Sequence, residues 1–103
     1  MTRRQSINFE RVARAAAGRS AEILAQWLPD GRREGGEWVA RNPRRQDSRR
    51  GSFKVNLRSG LWSDFATGDR GRDLIALAAY LFNLKNDEAA LRVAKMIGVE
   101  PYG

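Results

Sequence analysis

The sequence predicts an α+β fold in which a small three-stranded, antiparallel, ribbon-like sheet packs on helices. Three observations predict it. Apolar residues recur at helical spacing towards both ends of the chain, over 6–28 and 72–97. Between them, Phe53, Val55 and Leu57 alternate with Lys54 and Asn56, the period of a half-buried strand. Turns rich in glycine separate the two patterns. The 103 residues read as one domain with three parts: a helical 1–30, an antiparallel meander over 36–66 and a helical hairpin over 71–98.

The first part carries Phe9, Val12, Ala13 and Ala16 on one helical face, with Ser6 as a candidate N-cap. Gly18 interrupts the run. Ser20 then caps a second segment whose apolar side is Ile23, Leu24, Trp27 and Leu28, so one kinked helix and two short ones both fit. Pro29, Asp30 and Gly31 end it. Residues 30–36 read as a turn. Glu37 to Arg41 is the first strand, with Trp38 and Ala40 on one face. Asn42 to Arg50 is a loop loaded with Arg44, Arg45, Arg49 and Arg50. Ser52 to Leu57 is the second strand. Arg58, Ser59 and Gly60 make a tight connection, with Gly60 free to take positive φ, and Leu61 to Phe65 is the third strand. After the polar turn 67–71, Arg72 to Leu84 is apolar over more than half its circumference, the mark of a buried helix. Asn86 or Asp87 caps a last helix, which runs to Ile97 and closes on Gly98.

Composition narrows the function. The chain has no cysteine and no histidine. Disulfides, thiolate metal sites and histidine-based acid–base chemistry are therefore excluded. No apolar run approaches a membrane span, and no signal core follows the N-terminus; a cytoplasmic protein of a bacterial host, away from membranes, is expected. Nineteen Lys and Arg, most of them Arg, face twelve Asp and Glu, for a net charge of +7. A basic domain rich in arginine suits a polyanion.

The meander is the main candidate site. Single-stranded nucleic acid is held by aromatic platforms and a positive groove. The candidate binding residues are Trp38, Arg41, Arg44, Arg45, Arg49, Arg50, Lys54, Arg58, Trp62, Arg70 and Arg72. Phe53 and Phe65 are assigned to the sheet core, whereas Trp38 and Trp62 suit either the core or a stacking platform. Asp64, Asp69 and Asp73 do not make a magnesium cluster on this reading, because nothing in the sequence fixes their mutual geometry. No catalytic residue, metal or cofactor is assigned, and the chain is not read as an enzyme. In the turn before the apolar helix, Gly71 permits a close approach, and Asp69 or Asp73 caps the first helical turn.

Gly51-Ser52-Phe53, Trp62 with Asp64 and Phe65, and the turn Gly71-Arg72-Asp73 carry a resemblance. They resemble the N-terminal zinc-ribbon domain of bacterial and phage DNA primases and primase–helicases, over roughly residues 20 to 99. The family places metal ligands at the first strand's exit and at the end of the third strand. Here those neighbourhoods hold 41–47 and 63–67, with Asp64 near a ligand position and neither cysteine nor histidine. The resemblance thus implies a metal-free ribbon, held by Trp62 and Phe65 against the 72–84 helix. It also implies a template-binding module of a phage or mobile-element replication system, acting on single-stranded DNA with a separate primase or helicase. The alternative is a small phage or mobile-element protein, like an anti-CRISPR, that inhibits or regulates a host nucleoprotein complex.

Overall fold

The computed structural model describes residues 6–44 and 51–103. Arg45, Arg49 and Arg50 of the proposed arginine loop lie outside the described residues.

Two helices open the described chain, α1 (Phe9–Ala17) and α2 (Ser20–Trp27). The N-cap of α1 is Asn8 rather than Ser6. Its side-chain Oδ1 accepts from Arg11 N at 3.0 Å, satisfying a first-turn N–H that has no helical partner. Ser20 does not cap α2 but begins it. Its hydroxyl donates to the Leu57 carbonyl, tying the helix to the sheet.

The sheet has five strands among the described residues, not three: β1 (Arg32–Glu34), β2 (Glu37–Ala40), β3 (Phe53–Asn56), β4 (Trp62–Asp64) and β5 (Arg70–Gly71). They form an antiparallel meander in sequence order. The two added strands are its edges. β1 is Arg-Arg-Glu and wholly exposed, and β5 is Arg-Gly. Neither has an apolar alternation, so backbone pairing alone makes them strands. Charged, short edges also discourage pairing with another chain.

Helix α3 (Leu74–Phe82) and helix α4 (Asn86–Ile97) complete the fold. Asp73 caps α3, its Oδ1 accepting from Ala76 N at 2.8 Å. The α4 cap falls on Lys85, one residue before the positions expected, and Glu88 reaches back to accept from Lys85 N at 3.0 Å. Helix α1 packs on α3 and α4, and α3 packs on α4. The core lies between these helices and the inner face of the sheet. The sheet supplies Ala40, Phe53, Val55, Leu57 and Trp62, and α3 supplies Leu74, Ile75, Leu77 and Ala78. The segment before α1 pairs with the C-terminal tail through an Ile7–Tyr102 bridge. No helix of the described residues is long and apolar enough to cross a membrane.

Candidate nucleic-acid interface

Alternation along the strands sorts the candidate residues. Phe53 pairs with Asp64, and Val55 with Trp62 and Trp38, so these side chains share the inner face. Lys54 pairs with Ser63, Ser63 with Arg70, and Glu37 with Asn56. These point to the opposite, outer face. Phe65 continues the register through its N–H to Ser52 O at 2.9 Å, and Leu61 through Asn56 N at 2.7 Å. Both therefore belong to the outer face with Ser63.

Phe65 is 74% exposed, which corrects its assignment to the core. The reason is parity. Phe65 follows β4 directly and keeps its register, so, three residues after Trp62, it must face the opposite side. Trp62 takes the inner side and is 5% exposed. Its indole lies 4.9 Å from the Tyr80 ring and 6.0 Å from the Phe53 ring, centroid to centroid. Trp38 is half-buried on the inner side, and its Nε1 donates to Leu28 O at 3.1 Å. Neither tryptophan is a stacking platform on the outer face. The open aromatic there is Phe65, with the Lys54 ammonium 6.0 Å from its ring centroid.

An open groove of about 790 Å³ runs over this end of the sheet. Lys54, Arg70 and Arg72 line it, with Glu37, Asn56 and Leu61. Gly71 forms one wall because nothing larger fits: a Cβ there would stand 2.4 Å from Trp62 Nε1. The sequence-level expectation of a close approach at Gly71 thus has a specific partner. Arg70 and Arg72 are exposed and make no ion pair with any described residue.

The other candidates lie elsewhere. Arg58 sits in the β3–β4 turn, where Gly60 has φ +84°. Arg41 is 3.8 Å from Asp30. Arg44 packs onto α3: its guanidinium stands 5.3 Å from the Tyr80 ring centroid, and Nη1 donates to Tyr80 O at 2.8 Å. Its described contacts hold the β2 exit against the end of a helix, where a cation is favoured.

Beside Arg44 lies a polar clasp that the sequence did not reveal. Asn42 and Asp64 are both fully buried. Asn42 Nδ2 donates to Asp64 Oδ2 and to the Tyr80 hydroxyl, each at 2.8 Å. The Tyr80 hydroxyl donates to Asp69 Oδ2 at 2.8 Å. Asn42 Oδ1 accepts from Arg44 N at 2.8 Å, and Asp64 Oδ1 from Ala66 N at 2.9 Å. The clasp joins the β2 exit, the turn after β4 and α3. Truncating Asn42 to Ala should lower stability by about 2–3 kcal/mol, because it strips a buried donor from a carboxylate and a phenol. A denaturant midpoint equal to the parent's would refute this.

Burial raises the Tyr80 phenol above its ordinary value of 10.0, and its bond to Asp69 and the Asp69 and Asp64 charges add to the rise, while Asn42 opposes it. The fold holds the neutral phenol. That contribution is full below about pH 10 and is lost as pH climbs through the raised folded-state value. Stability curves of the parent and Tyr80→Phe should therefore converge at strongly alkaline pH. Parallel curves across that range would contradict the linkage.

A scan of protein-family models and a search of curated proteins both find no match. Among solved structures, the chain is similar to the crystal structure of the Aquifex aeolicus primase, comprising its zinc binding and RNA polymerase domains. The sequences are 22% identical, and the TM-score is 0.76. The likeness covers 92% of this chain and 22% of that one. The fold is primase-like.

Within this primase-like fold, the residues at the expected ligand positions do not suit zinc. Asp64 spends both oxygens on hydrogen bonds, and its neighbour across the gap is an amide. No three His, Cys, Asp or Glu side chains gather to hold a metal among the described residues. The Asn42–Asp64–Tyr80–Asp69 clasp joins the segment after β2 to the turn after β4. The expected packing of the ribbon on α3 is half realised: Trp62 packs on Tyr80, and Phe65 faces out.

Proposed function

We propose that this chain is a nucleic-acid-binding module of a phage or mobile-element replication system. It binds single-stranded DNA on the outer face of its sheet and works with a separate primase or helicase in the cytoplasm of a bacterial host. Binding, rather than catalysis, is its task. One observation carries the reading: Lys54, Arg70 and Arg72 line one groove, and Lys54 leans on the exposed Phe65 ring. Three cations suit a phosphate backbone, and an open aromatic face accepts a base. Stacking of one base contributes about 1–3 kcal/mol. The primase-like fold supports the same reading.

The alternative is a regulator of a host nucleoprotein complex, which would need an apolar docking patch. On α1 only Phe9, at 43% exposure, offers one among the described residues, while Leu61 and Phe65 are exposed on the sheet face that carries Lys54 and Arg70. A single exposed apolar side chain is ordinary for a protein surface.

The test is fluorescence-anisotropy binding of labelled single-stranded and duplex oligonucleotides across a salt series. Submicromolar, salt-steep binding that favours single strands is expected. Affinity no better than that of an unrelated protein of equal charge would overturn the reading.

A further inference from the structure

Glu37 has the wrong charge for a groove that holds phosphates. It lines that groove beside Lys54, Arg70 and Arg72, yet makes no ion pair with any described residue. It also stands opposite Glu34 in the β1–β2 pair, a like-charge arrangement that costs stability. Its carboxylate repels a backbone but accepts hydrogen bonds from the edge of a base.

Its cross-strand partner completes the feature. Asn56 pairs directly with Glu37 and lines the same groove. Asn56 Oδ1 accepts from Arg58 N and Ser59 N, both at 2.9 Å. Two backbone donors fix which end of the amide is oxygen and hold the side chain still. The Nδ2 amino group then remains as a donor with no described partner. Directly opposed residues of an antiparallel pair have Cβ atoms about 5 Å apart, on the scale of one base edge. Leu61, 54% exposed, gives the groove an apolar surface for the flat of a base.

We propose that Glu37 and Asn56 read a guanine in the bound single strand; the proposal rests on the nucleic-acid reading above. Guanine presents N1–H and N2–H side by side, which fill both oxygens of a carboxylate. Its O6 lies next to them and takes the Asn56 amino group. Adenine and cytosine offer the carboxylate one N–H on that edge. Thymine flanks its single N–H with two carbonyls, which repel it. The lysine and arginines hold the strand without regard to sequence, and the acid–amide pair supplies the choice.

The test uses the full chain and thymidine tracts carrying one central guanine, adenine, cytosine or thymine, at fixed salt. The parent should bind the guanine tract at least about tenfold more tightly than the all-thymine tract, as a good bidentate contact discriminates. Glu37→Gln should bind the all-thymine tract as tightly or more tightly, since a negative charge is gone, and should lose the guanine preference. Matching thermal melts show that both proteins are folded. Tight, equal binding of all four tracts by the parent would overturn base reading and leave strand binding standing. Guanine preference that survives in Glu37→Gln would overturn the role of Glu37. No binding to any tract would overturn the nucleic-acid reading itself.

Discussion

Replacing Trp62 with alanine should lower the unfolding free energy by about 3–5 kcal/mol, the range for truncating a large aromatic in a core. Trp62 and Phe53 both join the sheet to α3 through Tyr80, and Trp62 makes the closer contact. Trp62 forms a three-ring cluster with Phe53 on β3 and Tyr80 on α3, which also stack on each other at 6.3 Å, and it presses against the backbone of Gly71 on β5. Alanine would remove contacts with three elements at once. Collapse into the gap is restricted, because Tyr80 is held by Asn42, Asp69 and its own helix. For a domain of about 100 residues, a loss of this size lowers Tm by well over 10 °C. Trp62→Phe should recover much of it, since an aromatic ring still fills the stack. A melt for Trp62→Ala within two degrees of the parent would mean that the ring carries little of the core.

Removing Lys54, Arg70 and Arg72 together should weaken single-strand binding about ten- to hundredfold at low salt. The slope of log affinity against log salt should become shallower by about two units, at ~0.7 per phosphate contact on a single strand. Stability should stay close to the parent's, since Arg70 and Arg72 are exposed and Lys54 is half-buried on the outer face. A charge-matched control replaces Arg14, Lys85 and Lys95, which are exposed on or beside helices. The control should lose far less affinity. Equal losses in the two variants would show that only net charge matters and that the groove is not the site. Arg44 belongs in neither variant: its replacement would disturb the β2 exit and confuse folding with binding.

How much was legible in advance differs from element to element. Helices α3 and α4 and strand β3 were legible, because their burial repeats with a helical or a strand period. Phe53, Val55 and Leu57 are all buried, as the alternation requires. Strands β1 and β5 were not, because their pairing uses only backbone groups and leaves no apolar trace. The polar clasp was hidden for another reason. Asn42, Asp64, Asp69 and Tyr80 are ordinary polar residues in sequence, and their burial exists only once three distant segments meet. Phe65 could have been placed correctly. Leu61, Ser63 and Phe65 share one parity, Trp62 and Asp64 the other, and only one parity can face a one-sided core.

The sequence by itself determined the α+β class, the positive charge, the absence of cysteine and histidine ligands, and which strand face of β3 is apolar. These follow from composition and local period, which need no partner. Only the tertiary structure decided which cations share a groove. Lys54, Arg70 and Arg72 come from separated segments, and strand register places them together while Arg44 turns to α3. Pairing across a sheet is a property of the folded chain, so no local pattern could have sorted one arginine from another.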